Sequence, residues 1–280
     1  MFAEMQLALY SVTVPLLVVF LACGAAIWFR LPLLSSAGLA LAVMIPCLLA
    51  YGPTFPPSRL LDYLPILGLA AFLLFLPLDL KVFPGILPDG MRWLFSLLVV
   101  WLLLRPKIAL WSFQETAANV SVVVLIWATI WSYLEAVSKT RRGGMLILTI
   151  AAFGGGIVLY FGGSIVLGRM GVALAVALAS WLFLARISPG MRLGHAALGT
   201  VYTLFASLVL IGAYYSQIPR GIILLLIAAF AADLIVQIAA QLKPDMRPVS
   251  VTELTAALAL VPISIVVWFS VGGYFIGGQP

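Results

Sequence analysis

The sequence predicts an all-α integral membrane protein, a polytopic bundle of about ten transmembrane helices. Composition is the first observation behind this prediction: 64% of the residues are hydrophobic, 9% are charged, and the mean hydropathy is +1.21. Soluble domains are about 45–50% apolar and about 25% charged. The second observation is that the apolar residues form runs near the ~20 residues that cross a bilayer. Lipid must therefore be the solvent for most of this surface.

Ten apolar runs are candidate helices, and only short loops separate them. They cover residues 5–29, 33–51, 61–80, 91–110, 113–137, 144–168, 171–186, 196–216, 221–242 and 253–275. We find no linker, low-complexity tract or soluble domain, so residues 1–280 are expected to form a single transmembrane domain. A division into two inverted five-helix halves, 1–138 and 144–280, is a further interpretation. It rests on helix number alone, because the two halves share no residue-level similarity.

The fourth run needs separate support, because Arg105-Pro106-Lys107 interrupts it. The distribution of basic residues supplies that support, since cytoplasmic loops carry an excess of Lys and Arg. If all ten runs cross the membrane, one side holds ten basic residues and the other side five; without the fourth, the split becomes seven against eight. The sequence therefore predicts ten spans in a bacterial inner membrane, with both termini outside the cytoplasm.

Several functions are excluded by the residues that the chain lacks. The start of the chain carries Glu4 and no basic region, so we expect a retained first helix rather than a signal peptide. The net charge of +6 is scattered between the apolar runs, which indicates topology signals and contacts with the lipid bilayer rather than nucleic acid. A single histidine, His195, rules out a bis-histidine haem or a Ser-His protease within this chain. We expect no metal, no cofactor and no catalytic constellation, with His195 in a solvated loop and Cys23 and Cys47 buried.

The nine acidic residues can be assigned one at a time. Glu115 follows Ser112, and Glu253 follows Ser250, at the spacing of a capping box, which satisfies free N–H groups at a helix start. Glu135 has Lys139 at i+4 and is interpreted as half of a structural pair. The remaining acids lie in turns or near helix ends, with one exception.

The exception is Asp233, which lies within a turn of the centre of its predicted span. An ionised and unpaired Asp costs about 2.5–3.5 kcal/mol there. Asp233, Gln237 and Gln241 recur at i, i+4 and i+8, so they form one polar stripe that should face the protein interior. One hypothesis makes Asp233 a proton or cation site whose burial favours the protonated form. The other makes it a neutral, hydrogen-bonded acid that fixes helix packing.

Two other spans supply candidate neighbours for that carboxylate. Gly154, Gly155 and Gly156 lie at mid-membrane, where three glycines weaken a helix and would permit a break that exposes backbone to a ligand. Close helix packing is the alternative, with Ser164 and Gly168 as a small-xxx-small pair. The eighth span adds the hydroxyls Tyr202, Thr203 and Ser207 near mid-height.

Two hypotheses about function remain open after this survey. In the first, the protein is a transporter or permease that moves a small polar solute or ion, with Asp233 as its proton or cation site. In the second, it is a non-catalytic integral subunit or scaffold of a larger membrane complex, in contact with other membrane subunits or with further copies of itself. A membrane enzyme is the least favoured class.

Overall fold

The computed structural model describes the chain except residues 1, 30–31, 52–53, 83–86, 141–142, 163, 189–190, 192, 217, 243–247 and 277–280. Within the helices, the side chains of residues 2–9, 32–33, 50–51, 87, 139–140, 143, 220, 233–234, 237–242, 248–252 and 273–276 also lie outside the described part.

The described residues form ten α-helices and one short 3-10 helix, and they include no strand. The helices are α1 (Phe2–Phe29), α2 (Pro32–Tyr51), α3 (Tyr63–Asp79), α4 (Leu87–Ile108), α5 (Phe113–Thr140), α6 (Gly143–Phe161), α7 (Ile165–Ile187), α8 (His195–Tyr215), α9 (Arg220–Leu242) and α10 (Pro248–Ile276). Seven of them are long and apolar enough to cross a membrane, whereas α2, α4 and α9 fall short over their described residues. The helical membrane character is thus supported, and ten crossings remain a prediction.

The boundary between the sixth and seventh helices differs from the predicted one. The sequence interpretation extended the sixth span to residue 168, whereas α6 ends at Phe161 and α7 begins at Ile165. Ser164 is the N-cap of α7, where its Oγ accepts a hydrogen bond from the Leu167 backbone N–H at 3.4 Å. The predicted end of the sixth span was therefore wrong, because a serine that starts α7 was counted as part of α6, and Ser164 and Gly168 both belong to the start of α7.

Helix α6 runs through Gly154, Gly155 and Gly156 without an interruption, and the three glycines face three different helices. A Cβ on Gly154 would collide with the Ile263 side chain of α10, and one on Gly155 would contact Leu226 of α9 at 3.4 Å. A Cβ on Gly156 would lie 2.8 Å from the Val172 backbone nitrogen of α7. Each missing side chain thus lets one neighbouring helix approach closely.

Hairpin-like pairs of neighbouring helices build the bundle around a central helix. The closest pairs along the chain are α1 with α2, α4 with α5, α6 with α7 and α9 with α10, and α3 packs along α8. Helix α8 occupies the centre, since nearly all of its residues are buried. The α4–α5 hairpin meets the remainder of the bundle through α8, α6 and α3. This hairpin and α8 position the candidate site.

The start of α5 confirms one of the predicted capping boxes. The Ser112 backbone N–H donates to Glu115 Oε2 at 2.9 Å, and the Glu115 N–H donates to Ser112 Oγ at 3.3 Å. The second box is not where it was expected, because α10 begins at Pro248 and therefore places Ser250 inside the helix.

Candidate functional site

Helix α5 gives the candidate site its two ends, here called the Asn119 end and the Glu135 end. At the Asn119 end, the Tyr214 hydroxyl of α8 lies 3.4 Å from Asn119 Oδ1. The neighbouring Tyr215 hydroxyl donates to the Leu103 carbonyl of α4 at 2.9 Å. Helices α4 and α8 therefore run antiparallel to α5, and residues near both ends of the hairpin contact α8.

A cleft of about 570 Å³ lies between α5, α8 and α9. Its end near Asn119, called the mouth below, carries the exposed side chain of Glu115. This volume lies within the range of about 300–1,000 Å³ that is typical of ligand sites. The wall from α5 runs from Glu115 to Ile130, the small side chains of Ala206 and Ala213 leave room on α8, and α9 closes the far side with residues from Ile223 to Phe230. The lining is apolar along its length, with polar groups concentrated at the mouth.

Aromatic rings close the deep end of this cleft. Trp127 and Tyr202 form its floor, and the Tyr202 hydroxyl donates to the Trp127 carbonyl at 2.8 Å. Behind them, the Trp131 ring centroid lies 5.5 Å from that of Tyr202 and 4.9 Å from that of Phe75, and Phe95 completes the group. These five rings, here called the aromatic plug, join α3, α4, α5 and α8 in ring-edge contacts that favour a fixed arrangement.

A cluster of charged groups lies beyond the plug, at the Glu135 end. Glu135 Oε2 lies 2.6 Å from Arg92 Nη1, and Glu135 Oε1 lies 2.7 Å from His195 Nδ1. Arg92 also pairs with Asp89 at 2.7 Å and donates through Nε to the Pro88 carbonyl at 3.0 Å. The side chains of Arg92 and Glu135 are only 7% and 5% exposed, so each charge depends on its protein partner rather than on water.

Asp79 ties the start of α8 to the end of α3 beside this cluster. Its two carboxylate oxygens accept hydrogen bonds from the backbone N–H groups of His195 and Ala196, at 2.6 and 3.0 Å. An anion is favourable at a helix N-terminus, where N–H groups lack intrahelical partners. Gly194 makes the approach possible, since a Cβ there would collide with the Asp79 carboxylate. Asp79, Arg92, Glu135 and His195 are called the ion cluster below.

The ion cluster corrects one interpretation of the sequence. His195 was expected in a solvated loop, but it begins α8 and its side chain is 25% exposed. The predicted pair of Glu135 with Lys139 stays a prediction, because the Lys139 side chain lies outside the described residues, and the structure adds Arg92 and His195 as partners of Glu135. The available signal was topological, because all these groups fall near the same predicted membrane face; spacing along one helix could not reveal partners on two others.

The predicted site residues are distributed unevenly around the cleft. Tyr202 lines its floor, whereas Thr203 and Ser207 are fully buried away from it. Their hydroxyls have no hydrogen-bond partner among the described residues. Gly154, Gly155 and Gly156 are packing positions in α6, as described above. The side chains of Asp233, Gln237 and Gln241 lie outside the described residues, so their role stays a prediction.

The arrangement is an apolar cleft with polar groups at its mouth, and the described residues include no group that could hold a metal ion. No protein-family model and no curated protein matches the chain. The candidate site therefore depends on its own geometry: an apolar cleft, an aromatic plug and a buried ion cluster, aligned along α5 and α8.

Proposed function

We propose that the protein is a membrane carrier that binds its substrate in the cleft between α5, α8 and α9. The observation that supports this proposal is the asymmetry of the cleft, because the exposed Glu115 lies at its mouth, whereas the aromatic plug and the ion cluster lie between its deep end and the Glu135 end. A carrier needs a binding site that is open to one side while the other side is shut. In this proposal the Glu135 end faces the cytoplasm, as the distribution of basic residues predicts.

The packing of the α4–α5 hairpin supports a movable element. Specific contacts hold the hairpin to α8 at three levels: the ion cluster at one end, Tyr202 at mid-height and the two tyrosines at the other end. Opening of the ion cluster would therefore allow the hairpin to tilt against α8 without unpacking the α6–α7 pair.

Spin labels provide a test that does not require the substrate. One pair of spin labels is placed at Ala136 and Ile187, near the Glu135 end, and a second pair at Ala117 and Ile165, near the Asn119 end. We expect pulsed electron paramagnetic resonance to give two distances for each pair. Glu135→Gln should favour the longer distance in the first pair and the shorter in the second, because it weakens the hold on Arg92.

A pair at Phe153 and Phe183 is the matched control, since both side chains are exposed on the α6–α7 pair. Its distance should stay single in both proteins. Single, unchanged distances at both ends of the hairpin would sink the carrier and would favour the integral-subunit alternative.

Asp233 enters this proposal as the proton or cation site of the carrier. Helix α9 is continuous from Arg220 to Leu242, and Asp233 follows the cleft-lining residue Phe230 by three positions. Positions three apart fall on one side of a helix, so the spacing of Asp233 from Phe230 is what a site beside the cleft requires. This spacing supports a proton-coupled role for Asp233 in the proposed carrier.

We expect Asp233→Asn to lower proton flux through reconstituted vesicles by roughly tenfold or more, because an amide cannot bind and release a proton as a carboxylate does. The measurement is the fluorescence of a trapped pH dye after a pH jump. Glu253→Gln is the control, because Glu253 is exposed and does not line the cleft. Equal flux in wild type and Asp233→Asn would remove Asp233 from the mechanism.

A further inference from the structure

The polarity of the cleft changes along its length in a way that selects its occupant. Lys107, Glu115, Asn119 and Tyr214 lie at the mouth, and the lining below them is apolar down to Tyr202. The Tyr202 hydroxyl already donates a hydrogen bond to the Trp127 carbonyl. The indole nitrogen of Trp127 is fully buried and does not reach the cleft surface. The described lining therefore presents its polar groups at one end only, which suits a molecule with one polar end.

The depth of the cleft matches the length of a lipid chain. Eleven residues separate Asn119 from Ile130 on α5, a distance of about 16 Å at ~1.5 Å per residue. The hydrocarbon core of a bilayer is ~30 Å thick, so a chain from one leaflet extends about 15 Å. A chain that entered from the Asn119 side would thus reach from the polar mouth to the aromatic plug.

Charges of both signs flank the mouth. Lys107 Nζ lies 5.5 Å from the ring centroid of Tyr215. Glu115 Oε2 accepts hydrogen bonds from the backbone N–H and the hydroxyl of Ser112. A cation and a carboxylate at one opening complement a headgroup that carries a phosphate and an ammonium group. A purely anionic headgroup would meet repulsion from Glu115, and an uncharged one would leave both charges without a partner.

We infer that the cleft binds one acyl chain of a zwitterionic phospholipid, with the phosphate toward Lys107 and the ammonium group toward Glu115. The identification of this lipid as the substrate rests on the proposed carrier function. The binding site itself rests on the cleft alone. It replaces the small polar solute of the sequence hypothesis with an amphiphile, because the deep, described part of the cleft offers a polar solute no hydrogen-bond partner.

A photoreactive lipid tests the site in the full chain. The protein is placed in nanodiscs of phosphatidylglycerol with a small fraction of phosphatidylethanolamine that carries a diazirine in one acyl chain. After illumination, we expect peptides that contain Val123, Trp127 and Ala206 to carry more label than the exposed α1 face around Leu17 and Leu21. Equal labelling of the cleft and of α1 would overturn the inference, since a free chain touches all lipid-facing surfaces alike.

A variant that fills the cleft provides the matched comparison. Ala206→Phe should reduce labelling of the cleft peptides to the level of the α1 face, and Ala118→Phe, an exposed position on α5, should leave it unchanged. Unchanged cleft labelling in a folded Ala206→Phe protein would contradict the site. The comparison between cleft and α1 peptides in the wild-type protein decides the question even if Ala206→Phe fails to fold.

Headgroup selectivity is tested with the same diazirine chain on phosphatidic acid and on diacylglycerol. We expect phosphatidylethanolamine to label the cleft most strongly, and Glu115→Gln to remove its advantage over phosphatidic acid. Equal labelling by diacylglycerol would overturn the zwitterionic assignment. Cleft labelling together with single, unchanged spin-label distances would support the lipid site and contradict the carrier. Shifted distances without cleft labelling would support the carrier and contradict the lipid site.

Discussion

Glu135→Leu is expected to lower the free energy of unfolding by about 3–5 kcal/mol, because it removes the buried partner of the Arg92 guanidinium and leaves that buried charge with the exposed Asp89. His195 loses a contact in the same substitution. The measurement is reversible chemical unfolding of the purified protein in detergent micelles. Glu115→Gln is the control, because it alters an exposed capping box and should cost about 1 kcal/mol or less.

A second variant separates the isolated charge from the lost packing. Arg92→Met combined with Glu135→Leu removes both charges and should recover most of the lost free energy, since apolar pairs of similar volume often replace buried ion pairs without cost. A double variant no more stable than Glu135→Leu alone would show that the ion cluster does not act as a charge pair. A Glu135→Leu protein as stable as wild type would contradict the burial described for both groups.

Gly156→Ala should destabilise the protein by about 2 kcal/mol or more, although alanine is the better helix former by about 1 kcal/mol. A Cβ on Gly156 would lie 2.8 Å from the Val172 nitrogen and 3.0 Å from the Gly171 carbonyl carbon. These are backbone atoms, so no rotamer change can relieve the contact, and α6 and α7 must separate. The thermal midpoint in detergent is the measurement.

Gly24→Ala provides the matched control in α1, because nothing lies within 4 Å of a Cβ at that position. There the helix propensity alone should act, and the midpoint should stay constant or rise. A drop of equal size in both variants would point to a general sensitivity of glycine positions rather than to the approach of α6 and α7.

The two experiments address different parts of the molecule. The α6–α7 pair packs through backbone contact and provides a rigid support, whereas the α4–α5 hairpin is joined to α8 by polar contacts and ring contacts. Polar contacts can open and re-form at a modest difference in free energy, while backbone packing cannot. For this reason the α4–α5 hairpin is the moving element of the proposed carrier.

The sequence alone indicated that lipid surrounds most of the apolar surface of this protein, and it located most of the helices. Apolar runs near the length of a membrane span fix helices with little dependence on context, because a backbone in lipid must satisfy its hydrogen bonds internally. Local chemistry was readable where partners lie close in sequence, as for Ser112 and Glu115. It was misread between α6 and α7, where the Ser164 cap was counted within a longer apolar run.

Only the tertiary structure decided where the candidate site lies. Glu135, Arg92, His195 and Asp79 come from four helices, and no spacing along one helix brings them together. The same is true of the cleft, because its α5 wall lies far from α8 and α9 in the chain. Helix periodicity shows which residues share a face. Which helix packs against that face depends on tertiary contacts, such as the close approach of α7 that Gly156 allows. The chain therefore fixes the elements, and the pairing of their faces creates the site.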